Sequence, residues 1–181
     1  MIWKKMKKND FMSEIYNYGI RKIDTPLGII YAISSEKGII KITSKKQIGN
    51  DSIGKSHLDK TEKWFDLYFN GEEIERPPLD YQEMTVFRKK VLNKLMEEIT
   101  FGKIISYGEL ANLLKNERAS RAVGTALGKN PWSIIVPCHR VVNSNKKIGN
   151  YSGIKNNIGK KFLLTHEGFN ISENMMLIDI P

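Results

Sequence analysis

One stretch of the chain predicts a pair of short helices joined by a polar turn: SYGELANLLKNERASRAVGTALG, residues 106–128. Ser106 and Glu109 have the spacing of a capping box, in which each side chain bonds the backbone N–H of the other residue. Apolar residues then recur at helical spacing, so we predict one helix over residues 107–114 and a second over residues 120–128. A helix–turn–helix is by itself a weak signal for DNA binding, because many such pairs serve packing alone.

The second of these helices is rich in small residues. After Arg121 it carries two glycines, Gly124 and Gly128, although glycine costs about 1 kcal/mol in a helix interior. Small side chains would let the helix press against a widened minor groove, since that groove is only about 6 Å wide and a helix is about 10–12 Å across. Tight packing against another helix would use the same residues, so the composition allows both interpretations.

The chain contains one cysteine, Cys138, in the segment PCHRVV. A lone cysteine is usually a small, buried and inert side chain. Here Pro137 restricts the backbone before the thiol, His139 supplies a base near neutral pH, and Arg140 adds positive charge that favours a thiolate. These are the ingredients of an activated nucleophile. Because adjacent side chains often point apart, His139 needs a water or a turn to reach the sulfur.

The N-terminal half has the pattern of a small sheet with a helix. Between residues 18 and 43, short Ile-rich runs alternate with turn signals, which predicts an antiparallel meander of two or three strands. Aromatic and charged residues over 60–69 predict an amphipathic helix that ends at Asn70. The other predicted elements are a linker over residues 72–82, a helix over residues 86–99 and a short buried strand over residues 133–136.

Composition narrows the function classes. A net charge of +9 over 181 residues favours a polyanionic partner such as nucleic acid, although a solvated basic surface would give the same number. One cysteine excludes an internal disulfide, and three dispersed histidines argue against structural zinc. There is neither an apolar run of about 20 residues nor a signal-peptide pattern, so we expect a cytoplasmic protein, nucleoid-associated if the source is prokaryotic.

Six short motifs, of which the cysteine segment is one, follow one another along the chain. They are GKIISYGEL (102–110), SRAVG (120–124), NP (130–131), PCHRV (137–141), GNYSG (149–153) and LLTHEG (163–168). Together they resemble the O6-alkylguanine-DNA alkyltransferases, or methylated-DNA–protein-cysteine methyltransferases, whose active-site motif is similar to PCHRV. The strong resemblance covers about residues 101–168, and six motifs in one order make chance a poor explanation.

The resemblance implies an α+β fold. An N-terminal antiparallel β-sheet with a helix, ribonuclease H-like, would precede a mostly helical C-terminal domain with a winged-helix-like helix-turn-helix. We place a flexible basic arm at residues 1–12, an N-terminal α/β domain and linker at 13–82, and a DNA-binding and alkyl-transfer domain at 83–181.

The resemblance also implies the reaction. Cys138 would accept the alkyl group irreversibly from O6-alkylguanine, and possibly from O4-alkylthymine, after base flipping through the minor groove. His139 would deprotonate the thiol through a water, and Glu167 would orient His139. The family needs no cofactor, and we expect no metal, a monomer, and double-stranded DNA with alkylated bases as partner.

The binding residues follow from the same motifs. Tyr107 would assist the flipped base and Arg121 would fill the stack that the base vacates. Asn130 would be the hinge between the helix pair and the cysteine segment, unless it simply caps a helix end. Tyr151 and Ser152 would wall the base pocket, with backbone groups there and near Val141 reading the guanine.

The sequence departs from the family pattern near the pocket, and other functions remain open. The loop from residue 152 to 164 is slightly longer than usual, Ile154 stands where a second glycine is common, and Ser133 replaces a proline seen in some relatives. All three departures bear on the width of the pocket. A non-catalytic lesion binder of this fold would replace Cys138. A thiol hydrolase would leave the small-residue helix and the excess charge unexplained, and a helix–turn–helix regulator would leave PCHR unexplained.

Overall fold

The computed structural model describes residues 18–72, 74–82 and 84–179, so the predicted arm at residues 1–12 lies outside the described residues. The N-terminal half is an antiparallel sheet in the order β1-β2-β3, as the Ile-rich runs predict. Its strands are β1 (Gly19–Thr25), β2 (Gly28–Ser35) and β3 (Gly38–Thr43). Helix α1 (Lys55–Phe69) packs across all three strands.

Helix α1 begins five residues before the predicted position. Its first turn contributes Leu58 to the core, whereas Trp64, Phe65 and Tyr68 follow in the later turns. The apolar pattern is therefore too thin at the start of the helix to reveal it. Gly54 precedes the helix with a left-handed backbone (φ 62°), and a Cβ there would lie 2.2 Å from the Ser35 carbonyl oxygen.

The C-terminal half is mostly helical, and the predicted α+β class is confirmed. The capping box forms as predicted: the Glu109 N–H donates to Ser106 Oγ at 3.1 Å and the Ser106 N–H to Glu109 Oε2 at 2.8 Å. The elements are α2 (Val86–Glu98), β4 (Ile105–Ser106), α3 (Tyr107–Leu113), a 3₁₀ turn (Glu117–Ala119), α4 (Ser120–Gly128), a 3₁₀ turn (Cys138–Arg140), β5 (Val141–Val142), α5 (Asn156–His166), β6 (Asn170–Ile171) and β7 (Leu177–Asp179). No helix in the described ranges is long and apolar enough to cross a membrane.

The strand predicted over residues 133–136 is wrong. The chain makes a tight turn there, closed by a 2.9 Å bond from the Val136 N–H to the Trp132 carbonyl. Ile134 lies at the turn with φ 75°, a strained conformation for a β-branched residue that costs about 1–3 kcal/mol. β-Branched composition favoured a strand, but local propensity is overridden here by contacts from distant parts of the chain.

Those distant contacts come from the N-terminal half. The Trp132 indole N–H donates to the Ile39 carbonyl at 2.6 Å, and the Ile42 N–H donates to the Pro131 carbonyl at 2.9 Å. Arg76 Nε donates to the Ile135 carbonyl at 3.1 Å. The sheet and the following segment therefore hold the strained turn that leads into Cys138.

Helix α5 depends on a glycine at its close contact with the preceding loop. A Cβ on Gly159 would lie 1.9 Å from the Ile154 carbonyl oxygen, so we expect Gly159→Ala to lower the free energy of unfolding by about 1–3 kcal/mol. Gly108→Ala in α3 is the matched control, because its Cβ would meet nothing nearer than 3.9 Å. The control should be neutral or stabilising by at most about 1 kcal/mol in urea denaturation. Equal effects of the two substitutions would contradict this packing argument.

Candidate active site

A cavity of about 560 Å³ opens between α4, the Cys138 turn and the loop that precedes α5. Five of the predicted site residues line it: Tyr107, Arg121, Cys138, Tyr151 and Ser152. The rest of its lining is Gly124, Thr125, Leu127, Gly128, Asn143, Gly149 and Asn150. The small-residue face of α4 thus borders the same cavity as the thiol.

Asn130 fixes the surroundings of the thiol. Its Nδ2 donates to Cys138 Sγ at 3.1 Å and to the Val136 carbonyl at 3.0 Å. Its Oδ1 accepts the Trp132 N–H at 3.0 Å. Helix α4 is capped by Lys129, so Asn130 uses its amide to brace the turn before the cysteine. Direct contact between Asn130 and the sulfur was not predicted from the sequence.

The positive charge that acts on the thiol comes from a lysine that the sequence reasoning missed. Burial raises the pKa of Cys138, while the Asn130 hydrogen bond and the positive charge of Lys160 oppose that rise. Lys160 lies on α5 with no exposed surface, and its Nζ donates to the Val141 carbonyl at 2.6 Å. Burial lowers the pKa of Lys160 to about 8, against the effect of Cys138. Lys160 is therefore a buried cation whose charge acts on the sulfur.

Arg140 and Val141 do not line the cavity. The Arg140 guanidinium binds the Glu167 carboxylate and the Ile99 carbonyl and does not contribute to the thiol's pKa shift. Val141 is fully buried in β5, paired with Ile105, and does not line the cavity. The Val141 carbonyl is instead the acceptor for the Lys160 ammonium.

Glu167 is the centre of a buried hydrogen-bond network. Its carboxylate accepts from Tyr68 Oη at 2.7 Å, from His139 Nε2 at 2.8 Å, and from Arg140 Nε at 2.8 Å and Nη2 at 3.0 Å. Burial alone would raise the pKa of Glu167, but His139 and Arg140 lower it to about 2. The group is an anion throughout the neutral range.

This anion determines the state of His139. Burial lowers the pKa of His139, although Glu167 partly opposes that effect, so the imidazole is neutral at pH 7. Because a carboxylate only accepts hydrogen bonds, the ring proton must lie on Nε2. Nδ1 then carries the lone pair, and it has no hydrogen-bond partner among the described residues. His139 can therefore act as a base through Nδ1.

Tyr107 and Gly124 form a close contact at the cavity wall. A Cβ on Gly124 would lie 3.7 Å from the Tyr107 ring, an ordinary van der Waals distance, so the ring packs over α4 at this residue without requiring a glycine. Burial and the nearby Cys138 raise the pKa of Tyr107, which keeps its hydroxyl protonated. Arg121 is exposed on the same face of α4, one turn before Gly124.

The loop before α5 closes the opposite wall. Ser152 Oγ donates to the Gly128 carbonyl at 2.9 Å, which ties the loop to the end of α4. The Tyr151 N–H donates to Asn157 Oδ1 at 2.8 Å, and burial and Cys138 raise the pKa of Tyr151 well above its usual value. Asn143 adds an amide to the wall, a position that the sequence reasoning did not select.

Of the missed residues, Lys160 had a signal in the sequence. It lies three, four and seven residues before Leu163, Leu164 and Glu167, on the face of α5 that turns inward. A lysine on such a face is unusual and indicates a buried role. Among the residues that the structure describes, no group of three or more His, Cys, Asp or Glu side chains could hold a metal.

Comparisons with known proteins agree with this geometry. Residues 19–80 match the ribonuclease-like domain of 6-O-methylguanine DNA methyltransferase, and residues 86–169 match its DNA binding domain. The methylated-DNA–protein-cysteine methyltransferase of Homo sapiens is 36% identical over 169 residues, covering 83% of this chain and 81% of the relative. The enzyme of the same name from Methanosarcina acetivorans is 36% identical over 156 residues, covering 80% and 95%.

Solved structures give the same result. Mycobacterium tuberculosis OGT in complex with DNA superposes with a TM-score of 0.67 at 32% identity, over 82% of this chain and 92% of that one. Sequence similarity thus extends through both halves of the chain and includes the segment around its single cysteine. The chain belongs to the 6-O-methylguanine DNA methyltransferase family.

Proposed function

We propose that this protein repairs alkylated DNA by moving the alkyl group of O6-alkylguanine onto Cys138. The observation that carries the proposal is the position of the only cysteine: its sulfur borders a cavity wide enough for a base, beside Tyr107 and the small-residue face of α4. The activity in the names of the human and archaeal relatives supports the same conclusion.

The chemistry is a displacement at carbon. The Cys138 thiol gives its proton to His139 Nδ1 through a water, and the thiolate attacks the alkyl carbon. The new S–C bond forms as the C–O6 bond breaks, and the electron pair returns to the guanine, which takes up a proton. The product thioether resists hydrolysis, so each protein molecule repairs one lesion and is consumed.

The base must leave the duplex because the thiolate cannot otherwise reach the alkyl carbon. In-line attack on the alkyl carbon is blocked while the base is stacked, and flipping costs a few kcal/mol. Helix α4 would press against the minor groove with Gly124 and Gly128, while Arg121 fills the vacated stack. The Tyr107 hydroxyl, which keeps its proton, would donate a hydrogen bond to the flipped base. Tyr151 and Ser152 would form the wall of the pocket around that base. Asn130 would hold the cysteine segment in register with α4, where the family resemblance assigns a hinge.

The wider assignments belong to the same proposal. The domain from residue 83 onward would bind DNA and transfer the alkyl group, and residues 13–82 would support it. The net charge of +9 would give salt-dependent affinity for any DNA sequence, as a protein that scans a genome needs. We place the protein in the cytoplasm as a monomer, at the nucleoid if the source is prokaryotic. The proposal includes O4-alkylthymine as a second substrate.

The central test follows the methyl group. After incubation with a duplex that contains O6-methylguanine, the Cys138 peptide should gain the mass of one methyl group in digestion mass spectrometry. A duplex with unmodified guanine is the control and should leave the peptide unchanged. Cys138→Ser should leave the lesion in place. Repair of more than one lesion per protein molecule, or methyl transfer to another residue, would refute the proposal.

Lys160 should set the reactivity of the thiol. We expect Lys160→Met to slow methyl transfer at pH 7 by about tenfold, because a nearby buried charge no longer stabilises the thiolate. The Lys160 charge is present below its pKa of about 8 and is lost above it, so the difference from wild type should shrink as the pH rises past 8. Iodoacetamide labelling of Cys138 against pH gives the same comparison without DNA.

Lys161→Met is the matched control for this experiment. Lys161 is the next residue on α5, and its Nζ binds the Ser172 carbonyl at 3.2 Å, away from the thiol. It should leave the labelling profile unchanged. A Lys160→Met profile identical to wild type would show that the ammonium does not act on Cys138.

Arg121 should matter for duplex DNA and not for the bond-breaking step. We expect Arg121→Ala to slow repair of a duplex by about tenfold, since a few kcal/mol of unstacking is no longer compensated. Reaction with free O6-methylguanine base should be unchanged. Arg118→Ala is the control, because Arg118 lies in the turn before α4 and does not line the cavity. Equal losses with free base and duplex would contradict this role.

A further inference from the structure

One member of the Glu167 network comes from the other half of the chain. Tyr68 lies in the last turn of α1, is 3% exposed, and donates its hydroxyl to Glu167 Oε1 at 2.7 Å. The two residues are 99 positions apart in the sequence. Tyr68 takes no part in the proton transfer from Cys138 or in the displacement at the alkyl carbon.

The backbone of the same residue makes a second bond to the end of α5. His166 Nε2 lies 2.9 Å from the Tyr68 carbonyl oxygen, and since that oxygen only accepts, Nε2 carries the proton. Tyr68 therefore binds two consecutive residues, His166 through its carbonyl and Glu167 through its hydroxyl. Its ring stacks on Trp64 at 5.2 Å and meets Phe101 edge-on at 5.9 Å. The hydroxyl is thus held in place by rigid contacts around the ring.

The oxygen that Tyr68 binds is the one that orients His139. Glu167 Oε1 accepts from Tyr68 at 2.7 Å, from His139 Nε2 at 2.8 Å and from Arg140 Nη2 at 3.0 Å. A donor on this oxygen limits rotation of the carboxylate and spreads its negative charge. Both effects pass directly to the His139 imidazole. Burial and Glu167 raise the pKa of Tyr68 well above its usual value, so the hydroxyl remains a donor at neutral and mildly basic pH.

We propose that Tyr68 is a positioning residue for alkyl transfer, through which the N-terminal half of the chain sets the orientation and basicity of His139. This inference rests on the proposed function. A purely structural tyrosine would act through its ring, and a phenylalanine would replace it without loss. The functional group of Tyr68 is its hydroxyl, which contacts Glu167 and through it His139.

The test is single-turnover methyl transfer by Tyr68→Phe, measured against protein concentration. We expect the maximal rate to fall about three- to tenfold, less than the full loss of a hydrogen bond to a charged group because Tyr68 acts only through Glu167 and His139, while the concentration at half-maximal rate is unchanged. Tyr81→Phe is the matched control: its hydroxyl donates to Asn93 Oδ1 at 2.5 Å and its ring packs on Trp132, away from Glu167. Equal effects of the two substitutions, or none from Tyr68→Phe, would overturn the proposal.

The pH profile adds a readout that packing alone would not change. Without the hydroxyl, Oε1 is a stronger acceptor and stabilises the protonated His139, so the acid limb of the rate profile should move to higher pH. The charged or titratable groups that face Glu167 are Tyr68, His139 and Arg140. Besides Glu167, those that face His139 are Arg140, Lys160 and Tyr151. None of the others is altered by Tyr68→Phe. An unmoved acid limb counts against the proposal.

Two further measurements separate this inference from the proposed function. In a Glu167→Gln background, Tyr68→Phe should add no further loss of rate, whereas additive losses would show that Tyr68 acts elsewhere. Ring ¹⁵N NMR of the wild type should show His139 in the Nε2–H form at neutral pH, and the Nδ1–H form would overturn the proposal even if Tyr68→Phe failed to fold. If the wild type transfers no methyl group, the proposed function fails, and the ¹⁵N signals of His139 followed against pH in wild type and in Tyr68→Phe still decide the role of Tyr68: a raised His139 pKa in the variant supports it and an unchanged one overturns it.

Discussion

A carboxylate whose side chain has no exposed surface must be matched by positive charge and hydrogen-bond donors, and Glu167 imposes that requirement on two other segments of the chain. Tyr68 supplies a hydrogen-bond donor from α1, and His139 and Arg140 supply donors from the cysteine turn. Glu167 itself lies directly after the last residue of α5. Removing one partner of such a buried pair leaves an uncompensated charge and typically costs about 3–5 kcal/mol. The geometry of the reactive turn is therefore tied to the packing of the whole molecule.

The thiol interacts with a second buried charge, Lys160, which has no anionic hydrogen-bond partner among the described residues while the thiol is protonated. Cys138 is held neutral by burial, while Lys160 is a buried cation whose hydrogen-bond acceptor is a neutral carbonyl. Loss of the thiol proton would leave a thiolate that attracts the Lys160 ammonium, and part of the cost of burying Lys160 would then be recovered. Burial therefore keeps the resting thiol protonated, and the Lys160 charge stabilises the thiolate that forms during the reaction.

The features that were predicted correctly from sequence are local ones. The capping box at Ser106, the bounds of α4 and the three-strand meander depend on spacings of a few residues, which the chain displays directly. The turn at Ile134 was misjudged because its conformation depends on Trp132 bonding to β3, 93 residues away. The Tyr68–Glu167 hydrogen bond likewise joins residues far apart in the sequence, and an apolar helix face does not reveal where a hydroxyl points. Lys160 could have been found from its position on the inner face of α5.

The sequence posed one difficulty that the fold resolves: adjacent residues tend to point apart, yet Cys138 and His139 both belong to the reactive group. In the 3₁₀ turn the thiol reaches the cavity and Asn130, whereas His139 is fully buried and faces Glu167. A strand through residues 133–136 would have continued an extended backbone toward the cysteine, so the strained Ile134 turn is what allows this placement. The different directions of the two side chains serve the reaction, because the sulfur faces the base while the imidazole keeps the tautomer that Glu167 imposes.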